Sequence, residues 1–138
     1  MQYENRQQKI VAACILKDAG KILLLRGSQM PSRNRAVADT GYFDVPRFEI
    51  NFGESPEEVI KNEFNYYFGC DVDNLDVLGV SHHMGSGNAV QIFEIVYELS
   101  GQNLIADNQQ GEKYFFADLS DLESYIPFEQ HKYILNYL

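Results

Sequence analysis

Cysteine, long apolar runs and late arginines are all in short supply in this 138-residue chain, and each shortage removes a class of protein. Two cysteines, Cys14 inside an apolar run and Cys70 at a helix end, make neither a disulfide framework nor a clustered zinc site. Both read as packing residues. No apolar stretch reaches the roughly 18 residues that span a membrane, and Met1 to Lys9 is too polar for a secretory signal, so a cytoplasmic location is expected. There is no internal repeat, low-complexity tract, dinucleotide fingerprint or Walker loop. With 45% apolar residues, the chain reads as one domain, residues 1–138, able to bury its own core.

The net charge of −9 argues against binding a nucleic acid polymer, which needs clustered Lys and Arg. Its distribution is uneven. Residues 1–47 hold eight Lys and Arg against four Asp and Glu, residues 48–138 hold three against sixteen, and no arginine follows Arg47. An anionic small molecule is therefore expected to be gripped from the N-terminal part, where guanidinium forks suit phosphate oxygens. Arg26 and Arg47, which adjoin strand ends, are the candidates; Arg6, Arg33 and Arg35 read as solvated loop charges.

The strongest local signal lies between Val45 and Cys70. Ser55 followed by Pro56, Glu57 and Glu58 is an N-cap, a first-turn proline and the S-x-x-E of a capping box, and Gly69 supplies a stop, which predicts a helix over 56–68. Val59, Ile60, Phe64, Tyr66, Tyr67 and Phe68 fall on one broad arc of that helix. Glu63 falls inside the arc, so it should face a wet cleft or have a partner, because an unpaired buried carboxylate costs several kcal/mol.

Before the helix, Lys9 to Lys17 and Lys21 to Arg26 read as apolar strands joined by a turn at Asp18-Ala19-Gly20. Residues 27–42 form a long connection. After the helix, strands are expected at Leu75 to Ser81, Ala89 to Leu99 and Lys113 to Ala117, with His82 to Asn88 as a Gly-rich turn and residues 101–111 as a polar connection. In the second of these strands Phe93, Ile95, Tyr97 and Leu99 alternate with Glu94, Val96 and Glu98, which predicts one buried and one mostly wet face. His82 and His83, as neighbours on extended chain, point apart and do not share a metal. A short helix over 118–126 and another from Pro127, with Phe128, His131, Ile134, Leu135 and Leu138 at helical spacing, end the chain.

Laid without gaps on the Nudix box, G-x5-E-x7-R-E-U-x-E-E-x-G-U with U aliphatic, the central stretch resembles it in frame. Gly53-Glu54-Ser55, Glu63, Phe64 and Gly69 occupy their expected places, and Tyr42 to Pro46 resembles the aromatic-x-x-Pro approach to the box. Its departures are Phe48 for the first glycine, Arg47 for the glycine before it, Asn62 for the arginine, and Tyr66 and Tyr67 for the two consecutive acids. The resemblance, covering about Lys9 to Leu122, implies a Nudix-type α/β/α sandwich with a mixed β-sheet. It also implies a hydrolase for nucleoside diphosphate-linked substrates in which Mg²⁺ or Mn²⁺ is held against the diphosphate by acids at the places of 63, 66 and 67.

Only Glu63 remains of those three, with Glu54 beside it in the frame as the other catalytic candidate and Glu112 as a further acid that some Nudix enzymes take from this late loop. Two readings follow. One is a Nudix-type hydrolase of depleted metal site and weak or absent activity, binding a nucleotide-like phosphorylated small molecule through Arg26, Arg47, Tyr66 and Tyr67. The other is a non-catalytic Nudix-fold module for nucleotide binding or protein interaction, in which Tyr66 and Tyr67 stack on a base, anchor an interface or simply pack. A homodimer is compatible with either.

Overall fold

Strand β1 (Gln7–Asp18) is the axis of the fold, because its central residues Val11 to Leu16 are apolar on both sides and are fully covered. A computed structural model describes residues 7–26, 43–85, 89–102, 114–126 and 129–138. Along one flank β1 runs parallel to β6 (Val90–Gln102), from Gln7 opposite Val90 to Leu16 opposite Leu99. Along the other it pairs antiparallel first with β4 (Arg47–Ile50), through Ile10 to Ala13, and then at its end with β2 (Lys21–Arg26). Strand β2 in turn pairs with β3 (Phe43–Asp44) and β7 (Tyr114–Asp118), and β6 pairs with β5 (Asp71–Met84). The sheet is mixed, as the fold class requires.

The β1–β2 link is the expected hairpin. Ala19 and Gly20 both have positive φ, 51° and 79°, the backbone signature of a tight two-residue loop matched to strand twist. The main helix, α1 (Pro56–Phe68), has the predicted bounds. Ser55 Oγ accepts from Glu58 N at 3.5 Å, and Gly69, at φ 61°, closes the other end with Gly69 N to Asn65 O at 3.0 Å and Cys70 N to Phe64 O at 3.2 Å.

Two apolar layers sandwich the sheet. On one face Val59, Ile60, Phe64 and Phe68 of α1 pack on Ala12, Cys14, Leu16, Phe48, Tyr97 and Leu99, with Phe64 edge-on to Phe48 at 5.8 Å and to Phe68 at 5.0 Å. On the other face Ala13, Ile15, Ile22, Leu24, Val45 and Val96 meet Leu122 and Ile126 of the short helix α2 (Leu122–Tyr125) and its end, and Ile134 of a closing 3-10 helix (Glu129–Tyr137).

That second layer corrects the strand reading. The face of β6 that carries Glu94 and Val96 is not wet: both are buried, because the C-terminal helical segments fold back over it. Strand β5 is also longer than expected and takes in His82 and His83. The C-terminal segment winds as a 3-10 rather than an α-helix, preceded by a 3-10 turn at Leu119–Asp121. The connection 27–42, most of the polar connection, Pro127, Phe128 and the His131 side chain lie outside the described residues.

Candidate active site

The frame of the box is built by a tight turn between β4 and α1. Asn51 N donates to Glu54 Oε1 at 2.8 Å while Glu54 N donates to Asn51 O at 3.0 Å, and Gly53, at φ 86°, takes the backbone position that a side chain disfavours. Glu54 is thereby a brace of its own turn. Ser55 then starts α1, which carries Glu63 as a half-buried, partnered carboxylate.

Tyr66 and Tyr67 do not belong to the core. Inward packing on α1 is supplied by Ile60, Phe64 and Phe68 at i, i+4 and i+8 with Val59, whereas Tyr66 is 80% exposed and Tyr67 40%. Their rings meet edge to face at 4.9 Å, and Tyr67 leans on Phe68 at 6.3 Å. Glu63, Tyr66 and Tyr67 share one side of the helix by their i, i+3, i+4 spacing. Phe52, fully exposed on the turn just before α1, adds another solvent-facing aromatic that sequence periodicity did not single out.

This donor set does not fit a divalent cation held by the protein. Mg²⁺ and Mn²⁺ take carboxylate, carbonyl and water oxygens, and the side offers one carboxylate and two tyrosine rings. Among the described residues no group of three or more His, Cys, Asp or Glu is placed to hold a metal ion. Glu112 lies outside the described residues, as does the side chain of Arg26, whose backbone ends β2 opposite Phe43.

Arg47 is not presented to a ligand, contrary to the sequence reading. Its guanidinium is 1% exposed, contacts the Asp44 carboxylate through Nη1, and donates from Nε to Glu94 Oε1 at 3.0 Å. Burial alone would lower its pKa, but the two carboxylates outweigh that and hold it above the usual arginine value. Asp44 Oδ1 also accepts from Val45 N at 2.8 Å. The pairing ties β3, β4 and β6 together across β1, since Arg47 lies opposite Ala13 and Glu94 opposite Val11. Sequence reasoning missed it. The available signal was a lone acid, Glu94, set among Ile92, Phe93, Ile95 and Val96.

Phe48, the next residue, points to the opposite face and packs on Phe64. The two large residues that replace glycines are therefore absorbed one into each layer. The remaining reactive groups are quiet. Burial pushes the Cys14 thiol far up, and burial with Asp71 and Asp73 nearby pushes Cys70 up to about 11. Tyr97, beneath α1, is raised by burial and then by Glu57. His82 pairs in register with Phe93 and stacks at 5.8 Å from it, while His83 pairs with Ile92 on the other face.

No family model matches the sequence, and no curated protein matches it. Solved structures do. The MutT NUDIX hydrolase from Burkholderia pseudomallei superposes with a TM-score of 0.71 at 15% identity, covering 96% of this chain and 99% of that one. A NUDIX hydrolase from Nitrosomonas europaea gives 0.70 at 10% identity over 94% and 87%, and the MutT protein from Bacillus halodurans 0.65 at 19% over 93% and 80%. Across nearly its whole length, the chain has the fold of the MutT and Nudix hydrolases.

Proposed function

We propose that the protein is a Nudix-family, hydrolase-like protein that recognises nucleoside diphosphate-linked molecules with a depleted metal site, so that classical hydrolysis is weak or absent. The observation that carries this reading is the composition of one side of α1: Glu63 stands where the family has its first helix carboxylate, and the places of the other two are taken by Tyr66 and Tyr67, both facing solvent. A fold shared with MutT proteins over most of both chains supports the substrate class.

Losing one supporting group at a metal site typically costs ~10–100-fold in affinity or activity, and losing two direct ligands should cost more. Any Mg²⁺ or Mn²⁺ here would take most of its oxygen ligands from substrate phosphates and water. Among side chains, Arg26 at the end of β2 and the two tyrosines remain the expected substrate contacts, and the cytoplasm remains the expected location.

The second reading, a non-catalytic nucleotide-binding or protein-interaction module, is favoured by the exposed edge-to-face tyrosine pair. An aromatic pair of this kind contributes ~0.5–1.5 kcal/mol beyond its area when a further ring joins it. A panel of nucleoside diphosphate derivatives, incubated with Mg²⁺ or Mn²⁺ and followed by mass spectrometry and calorimetry, separates the two. Slow turnover abolished by Glu63→Gln supports the hydrolase. Binding without turnover, weakened by Tyr66→Ala, supports the module. Turnover indifferent to Glu63→Gln removes Glu63 from the chemistry.

A further inference from the structure

Strand β5 ends the sheet. It hydrogen-bonds to β6 on one side, and among the described residues no strand lies on the other, so a fourteen-residue row of backbone groups faces outward. Edges of this length are usually blunted by charge or covered, because they template pairing with another strand.

The register shows which side chains flank that edge. Val77, Val80, His82 and Met84 lie opposite Tyr97, Ile95, Phe93 and Gln91, on the sheet face that α1 occupies. The helix covers only the far end of that face. At the near end Ile50, Ile10, Phe93 and His82 form one row across four strands, and Ile10, Val77, Val80 and Met84 remain 44%, 57%, 61% and 47% exposed. Charge is divided along the strand as well. Asp71, Asp73 and Asp76 sit in its first half, and the second half from Gly79 to Met84 has two histidines and no acid.

We propose that β5 is a self-association edge, and that two copies of this chain pair antiparallel through it about a two-fold axis at Val80. The pairing is self-complementary. Against β6, β5 carries two extra residues, Asp73 near its start and Leu78 between Val77 and Gly79, and the second falls inside the paired stretch. With that residue left over in each copy, Val80 meets its own counterpart, Val77 meets His82, Leu75 meets Met84, and Asp76 meets His83, each pair on a common face. The exposed valines and Met84 merge into one apolar band, Asp76 lies opposite His83, and Asp71 and Asp73 extend past the partner's Met84 without meeting an acid of its β5. A parallel pairing would instead set acid against acid, which opposes it. An isologous contact of this kind closes at two copies and adds no new free edge.

Sedimentation of the full chain from about 1 µM to about 1 mM tests this, with two substitutions at the axis. A concentration-dependent dimer is expected. Val80→Lys, at an exposed position, places two ammonium groups side by side and should raise the dissociation constant at least tenfold with an unchanged circular dichroism spectrum. Val80→Cys should form a disulfide-linked dimer on mild oxidation, since directly opposed Cβ atoms sit about 4.5–5.5 Å apart across an antiparallel pair. Val77→Cys, facing His82, should not, and the native Cys14 and Cys70 are buried. A wild-type chain that stays monomeric throughout overturns the proposal. So does a dimer that is indifferent to Val80→Lys, or that cross-links no faster through position 80 than through 77.

Discussion

Replacing Arg47 with methionine would leave Asp44 and Glu94, 1% and 2% exposed, in the interior without their counter-ion. Surface ion pairs contribute ~0–1 kcal/mol, but breaking a buried one costs ~3–5 kcal/mol because the surviving charge stays desolvated. At a chain of this size that corresponds to roughly 10–20 °C in Tm. The pH dependence gives the sign a separate check. Arg47's own pKa is raised in the fold, so its contribution is complete below the ordinary arginine value and is lost only as pH climbs through the still higher folded value. That contribution is therefore constant across neutral pH. In the variant the two buried carboxylates lose the cation that compensates them, and a desolvated negative charge is least costly where protons are available to neutralise it. Stability of Arg47→Met should then fall as pH rises, with the deficit larger at about pH 8 than at about pH 5. Adding Glu94→Leu should recover ~1–3 kcal/mol by removing one stranded charge. Guanidinium denaturation followed by far-ultraviolet dichroism measures all of this. A cost below about 1 kcal/mol, flat with pH, would refute the assignment of Arg47 as the buried counter-ion.

The tyrosine side of α1 is tested by Tyr66→Glu with Tyr67→Glu, which should produce measurable Mn²⁺ binding by calorimetry where the wild type gives none. Gly69→Ala forces a side chain onto φ 61° and should cost about 1 kcal/mol of stability in urea titration; no loss would mean that the helix ends in another way. Gly79→Ala would put its Cβ 2.5 Å from the Tyr137 hydroxyl, so it should cost ~1–3 kcal/mol, and a double-mutant cycle with Tyr137→Ala should return most of that loss.

Local signals were legible and long-range ones were not. Helix α1 is found at its predicted bounds because its cap, first-turn proline, capping box and stop all lie within the segment they specify. The same holds for the β1–β2 hairpin, whose turn residues and flanking apolar runs are contiguous. Glu94 was misread because alternation reports only that two faces differ, not whether a later segment returns to cover the second. Here Leu122, Ile126 and Ile134, all near the chain's end, do so. Arg47 was misread for the same reason: its partners come from β3 and β6, and no period within β4 announces them. The helical wheel erred in a different way, by counting tyrosine as apolar. A tyrosine can sit at the rim of a buried stripe and stay partly in water, and Tyr67, one position before Phe68, is 40% exposed.

These placements bear on which departure from the Nudix pattern would weaken metal binding in the proposed function. Arg47 and Phe48 stand where glycines were expected, and either a rerouted backbone or a narrowed pocket would have followed had both side chains entered the site. Instead, as neighbours on β4, they point to opposite faces; Phe48 completes the α1 layer and Arg47 joins Asp44 and Glu94 under the other. The turn carrying Glu54 still closes, and α1 still begins at Pro56. Both large residues are thus consistent with an intact frame, which leaves the chemistry of positions 66 and 67 as the principal change. Because Tyr66 and Tyr67 are exposed, glutamates there carry little desolvation penalty, and the double variant should unfold at nearly the wild-type denaturant midpoint. Absence of Mn²⁺ binding in that folded variant would place the defect elsewhere, first of all at Asn62, where the family's arginine is missing.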